Sequence, residues 1–141
     1  MKAIVVEGQY DYQIILGIFP QIEGKIMLRP AHGFSSAFAM MKSLIDYGYD
    51  VMAVYDTDTD RPDNDNRRVL ERIYPNELVG RSFRIVWMDS CIEDVLERAV
   101  PGFNQGIRKG DMVRVKAARN RLAILEMPEF QEIQRFIEDE G

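Results

Sequence analysis

Val-Met-Ala-Val-Tyr (51–55) runs straight into Asp56, Asp58 and Asp60, and Ala-Ile-Val-Val (3–6) runs straight into Glu7, with Asp11 four residues on. Short apolar runs rich in β-branched residues and bounded by turn formers read as strands buried on both faces, the kind that build a parallel sheet. Both runs then end at the carboxyl edge of one sheet. In an open α/β sheet that edge binds ligands, and carboxylates gathered there offer hard oxygen donors to Mg²⁺ or a similar ion. These two stretches therefore set a fold expectation and a chemical one together: metal-dependent phosphoryl chemistry.

Working outward, strands and helical patterns alternate. A strand at 3–7 leads to a helix from about Asp11 to Ile18 that stops near Pro20, then to a strand at 25–29. Pro-Ala-His-Gly (30–33) is a turn by composition. Ser35 and Ser36 are placed to cap the next helix, whose apolar positions Phe38, Met41, Leu44 and Ile45 recur at helical spacing and which Gly48 can end. After strand 51–55 comes a polar loop at 56–66, a short helix with Val69, Leu70 and Ile73, a strand at 82–88, and a helix from about Ser90 to Ala99. Helical segments near 112–125 and 128–139 complete the chain. The expected fold is α/β and Rossmann-like, with about four mainly parallel strands and helices on both faces. One domain spans 1–141, its core in about the first 100 residues and a helical extension over 101–141.

At 141 residues, 46% hydrophobic and 29% charged, the chain can bury a real core and shows no sign of disorder or fibre. Cys91 is the single cysteine and His32 the single histidine, so neither an internal disulfide nor a Cys/His zinc cluster can form. The apolar run near the start is too short for a secretory signal and no later stretch approaches bilayer length, so a cytoplasmic protein with no membrane contact is expected. The net charge of −5 argues against nucleic acid, but its distribution does not. Five aspartates fall within 56–65, whereas Arg108, Lys109, Arg114, Lys116, Arg119 and Arg121 crowd a segment that holds only Asp111 against them. A local basic face of this kind can meet phosphate, though it also reads as a solvated helix surface.

Each acidic group has a bland reading beside the chemical one. Aspartates of the 56–65 loop repel one another and would be relieved by a cation, yet in water two unit charges 4 Å apart interact by only about 1 kcal/mol, so a solvated loop costs little. An EF-hand does not fit, because Arg61 stands at the glycine position and Arg67 at the closing glutamate. An aspartyl-phosphate phosphatase places its Asp-x-Asp after the first strand, and here the pair follows the third. Asp11 reads equally as helix N-cap and as ligand. Gly8 lets the backbone turn beside Glu7 and approach a ligand closely. His32 could touch phosphate from its turn, while Trp87 and the methionines read as core.

Val-Glu-Gly-Gln-Tyr-Asp (6–11), Pro-Ala-His-Gly-Phe-Ser-Ser (30–36) and Val-Tyr-Asp-Thr-Asp-Thr-Asp (54–60) together resemble the toprim domain of topoisomerases, bacterial primases, recombination-repair proteins, ribosomal-RNA maturases and the overcoming-lysogenization-defect nucleases. The resemblance covers roughly the first hundred residues and lies closest to the nuclease branch. It implies Glu7 as metal ligand or general acid/base, Asp56 and Asp58 as the Asp-x-Asp ligands of Mg²⁺ or Mn²⁺, and Asp60 as a third contact. It further implies Asp11 as ligand of a second ion, Glu93 in Ile-Glu-Asp-Val-Leu (92–96) as a further ligand, and Lys116 as the lysine set against the scissile phosphate. The chain has no room for a topoisomerase tyrosine domain, a primase zinc module or an ATPase domain.

The expectation is hydrolysis of a phosphodiester bond in DNA or RNA by one or two ions, with Arg108, Lys109, Arg114, Lys116 and Arg119 drawing the polyanion to the site. The alternative is a non-catalytic module that binds nucleic acid or a partner protein within a larger complex. A small-phosphoester phosphatase or nucleotidyl-transfer enzyme is a third reading. A homodimer formed through the acidic helical tail is a further expectation.

Overall fold

A computed structural model of the chain describes residues 1–57, 83–106 and 110–139. It contains β1 (Lys2–Val6), α1 (Gln9–Ile18), a 3-10 turn (Pro20–Ile22), β2 (Met27–Pro30), α2 (Phe34–Asp46) and β3 (Asp50–Asp56). These are followed by β4 (Phe83–Met88), α3 (Ile92–Ala99), α4 (Gly110–Arg119), α5 (Arg121–Ile124) and α6 (Pro128–Glu138). The expected loop beyond Thr57 and the expected short helix at Val69, Leu70 and Ile73 lie outside the described residues.

The four strands form one sheet in the order β2-β1-β3-β4, and every neighbouring pair is parallel. The architecture is thus α/β and Rossmann-like. Because a strand shows alternate side chains to opposite faces, each apolar run feeds two cores. Ile4, Val6, Met52, Val54, Val86 and Met88 meet α1, α3, α4, α5 and α6 on one face. Ala3, Val5, Val51, Ala53 and Tyr55 meet α2 on the other. Continuous burial along β1 and β3 is what made their sequences unbroken hydrophobic runs rather than alternating ones.

The chain leaves β1 for β2 on one side through α1, then returns across β1 to β3 through α2, which lies on the opposite face. The carboxyl ends of β1 and β3 therefore flank the point where the winding reverses, the crevice at which α/β sheets bind ligands. In-register pairing of Val6 with Val54 sets Glu7 beside the end of β3.

Local chemistry fixes the element ends. At the close of α2, Gly48 has φ of 91°, its N–H bonds Ile45 O at 2.9 Å, and Tyr49 N–H bonds Leu44 O at 3.0 Å, a Schellman stop. At its start the helix begins before the serines, at Phe34, with Gly33 (φ 98°) as N-cap; Ser36 instead reaches back to accept the His32 N–H at 3.2 Å. Strand β2 starts two residues later than expected because Lys25 and Ile26 are held by Ile22 O in the turn that Gly24 completes. The expected helix at 112–125 is broken at Asn120, whose side-chain amide donates to Lys116 O at 2.9 Å in competition with the helical ladder. α1 and α4 approach closely at Gly17, where a Cβ would stand 2.5 Å from Arg114 O and 2.9 Å from the Ala117 Cβ. Among the described residues, no helix is long and apolar enough to cross a membrane.

Candidate functional site at the carboxyl edge of the sheet

Two stretches that lie far apart in sequence are clasped at the sheet edge. The Asp56 N–H at the end of β3 donates to Glu7 Oε2 at 2.9 Å, and the Ile92 N–H at the start of α3 donates to Asp56 Oδ1 at 2.9 Å. Asp56 thus receives the first turn of α3, whose own N-cap residue, Cys91, makes no side-chain cap. Thr57, buried just beyond, accepts the Ser90 N–H at 2.8 Å and donates its own N–H to Met88 O, so β3, β4 and the approach to α3 are tied at one point. Ser90 takes a left-handed φ of 61° to make that bend, so α3 starts after it rather than at it.

Asp11 sits in the first turn of α1, whose N-cap is Gly8; it is not the cap itself. Only 7% of it is exposed, although it carries a carboxylate. Burial first, and then the Asp56 and Glu93 carboxylates, push its pKa up to about 8 against the pull of backbone hydrogen bonds at Glu7 and Gly8. Asp56 is pushed up to about 8 as well, by burial, then by Glu7 and Glu93, with the Ile92 N–H opposing. Carboxylates from just beyond β1 and from α1, β3 and α3 therefore meet here, Asp56 facing Glu7 and Glu93, and Asp11 facing Asp56 and Glu93. Burial also drives the neighbouring Cys91 thiol up to about 12, with Glu93 adding to it. The Tyr10 hydroxyl is raised too, by burial and then by Glu93 and Asp11.

Among the described residues, no group of three or more His, Cys, Asp or Glu side chains gathers tightly enough to hold a metal ion. Asp58 and Asp60, the other members of the expected acidic set, lie outside the described residues. In kind, the donors fit a hard divalent cation: they are all carboxylates, and Asp11 and Asp56, desolvated and faced by neighbouring carboxylates, hold protons that a cation would displace. Mg²⁺ commonly takes one or two carboxylates and completes its shell with water and phosphate oxygens.

Two side chains of the basic segment make contacts within the fold. Lys116 Nζ donates to Phe103 O at 2.5 Å and Gln105 O at 3.3 Å and stands 5.1 Å over the Phe103 ring, holding the 101–106 turn closed. Arg114 Nε donates to Gln13 Oε1 at 2.8 Å across the contact between α4 and α1. Arg119 is exposed, and Arg108 and Lys109 lie outside the described residues. His32 is exposed at its turn.

Sequence reasoning missed Asn104. Its side-chain oxygen accepts the Tyr10 hydroxyl at 2.9 Å and its amide donates to Glu93 O at 2.8 Å, linking the α1 turn that carries Asp11 to the α3 turn that carries Glu93. Glu97 holds the same turn by accepting the Gly102 N–H at 2.7 Å and the Asn104 N–H at 3.1 Å, which lowers its pKa. Pro-Gly-Phe-Asn-Gln-Gly (101–106) reads as a loop, and a loop asparagine carries no sign of so distant a partner. Compared with protein-family models, curated proteins and solved structures, the chain finds no match.

Proposed function

We propose that the chain hydrolyses phosphodiester bonds in DNA or RNA through a toprim-type carboxylate site that uses Mg²⁺ or Mn²⁺. One observation carries the reading: the 2.9 Å hydrogen bond from the Asp56 N–H to the Glu7 carboxylate, which joins the two acidic segments at the crevice where the winding reverses. Glu7, Asp56 and Asp58 would hold the ion, with Asp60 as a further contact and Asp11 and Glu93 as the ligands of a second ion. When bound, the ion supplies charge neutralisation of the non-bridging oxygens and an acidified water.

The chain's own residues supply placement and proton control. Glu7 and Asp56 are oriented by the backbone N–H groups of Asp56 and Ile92, so their oxygens need no reorganisation on binding. Asp11, with its pKa near 8, keeps a proton at neutral pH and gives it up as positive charge arrives. Lys116 would have to leave the Phe103 and Gln105 carbonyls to face a phosphate. Arg119 can meet one without such a change.

The test is incubation of the pure protein with labelled single- and double-stranded DNA and RNA, with Mg²⁺, Mn²⁺ or EDTA. Cleavage that needs the ion and disappears in Asp58→Asn and Glu7→Gln is the expected result. Full activity in Asp58→Asn would remove the proposed ligand set. The second reading, a non-catalytic nucleic-acid- or partner-binding module, is favoured by a specific observation: Glu7 and Asp56 already brace backbone N–H groups, a structural task that needs no ion. Binding without cleavage on every substrate would select it.

A further inference from the structure

We propose that the outward side of α4 is a docking groove for an acidic amphipathic helix of a partner protein. α4 is held in the fold by its inner side, where Val113 and Ala117 are buried and the backbone meets Gly17. Its outward side is also apolar: Met112 is 62% exposed and Val115 50%, and Leu122 on α5 is 83% exposed. None of these three is needed to bury the core. Met112 and Val115, together with the Gln105–Gly106 turn, line a groove of about 620 Å³ bounded by Lys116 and Arg119.

Charge selects the occupant. Among the described residues, the charged side chains lining the groove are both cationic, in a chain whose net charge is −5. An acidic partner is attracted here against the net negative charge of the whole chain. The chemistry of the lining then separates protein from nucleic acid. Among the described residues no aromatic ring lines the groove to stack a base, and the exposed Met112 and Val115 side chains at its floor offer a polyphosphate backbone nothing to pair with. Methionine and aliphatic anchors edged by arginine suit a protein helix that presents apolar residues at i, i+3, i+4 and i+7 with carboxylates at their flanks. The inference uses none of the sheet-edge carboxylates; it shares Lys116 and Arg119 with the phosphate contacts of the proposed hydrolysis, so its test is run in EDTA and reads peptide binding rather than cleavage.

The test is fluorescence anisotropy in EDTA with two labelled helical peptides that share one leucine pattern at that spacing, one flanked by glutamate and the other by lysine. The glutamate peptide is expected to bind the full chain at least about tenfold more tightly. Val115→Glu is expected to weaken it by a similar factor with an unchanged melting temperature, since the position is exposed. Arg119→Glu is expected to reverse the preference between the peptides. Equal binding of the two peptides, or binding indifferent to Val115→Glu, would overturn the proposal. A single-stranded oligonucleotide that displaces the peptide and is itself lost in Val115→Glu would reassign the groove to nucleic acid. Concentration-dependent dimerisation in sedimentation velocity, abolished by Val115→Glu, would assign it to a second copy of the chain.

Discussion

Replacing Asp11 by asparagine should make the ion-free protein more stable, and more so as the pH rises. Asp11 has a pKa near 8 in the fold against 3.8 for a free aspartate. Between those values the folded chain holds a proton that the unfolded chain has released, so the contribution of this group to stability falls as pH rises from about 4 to about 8 and is flat beyond. At 1.36 kcal/mol per pH unit, a shift of about four units sets a ceiling of about 5 kcal/mol above pH 8. Asp56 shares the same repulsion, so a working figure for one substitution is about 2 kcal/mol. In a domain of this size that is about 6 °C in melting temperature. Thermal unfolding of the wild type and Asp11→Asn in EDTA should diverge by that much at pH 8.5 and converge near pH 4. Addition of 10 mM Mg²⁺ should raise the wild type toward the variant while moving the variant less. A variant that is less stable than the wild type at pH 8.5, or a difference that does not change with pH, refutes the picture of a desolvated, crowded carboxylate.

Glu7→Gln keeps an oxygen for the Asp56 N–H, so its melting temperature in EDTA should stay within about 2 °C of wild type while stabilisation by Mn²⁺ is lost. Gly17→Ala puts a methyl carbon into Arg114 O and the Ala117 Cβ; calorimetry should show a loss of about 1 to 3 kcal/mol despite alanine's better helix propensity, and an equal or higher stability would refute the close contact. Asn104→Ala removes the link between Tyr10 and Glu93, and hydrogen exchange at the start of α3 should speed up, whereas Arg98→Ala, which cuts the exposed pair with Asp89 and exposed bonds to the Asp89 and Asp94 carbonyls, should cost under about 1 kcal/mol in a denaturant titration.

The sheet could be read from the chain because β1 and β3 are buried on both faces and so write unbroken apolar runs, and because Glu7 and Asp56 stand at their carboxyl ends. The stop of α2 was equally local, a matter of Gly48 alone. The rest turned on hydrogen bonds that residue type alone does not choose between. Asn120 breaks a helix by turning its amide back on Lys116 O, a choice its sequence neighbours do not force. Asp11 reads as a cap by residue type but lies inside the first turn, because Gly8 opens α1 in extended backbone. The resemblance sets Lys116 against a phosphate, and in the fold its ammonium rests on two carbonyls of a turn that no pattern marks as its neighbour. Charge and periodicity are written along the chain, while hydrogen-bond partners across it are not.

Gly17 and Asp11 ride on the same short helix, about 9 Å apart along its axis at 1.5 Å per residue. With no side chain at Gly17 to act as a cushion, α1 and the groove-bearing α4 meet backbone to side chain and have little play between them. α1 is thereby a strut shared by two surfaces, the carboxylate-bearing edge of the sheet and the outward groove of α4. Should a guest on α4 tighten the grip on the ion by some factor, thermodynamic reciprocity obliges the ion to tighten the grip on that guest by the same factor.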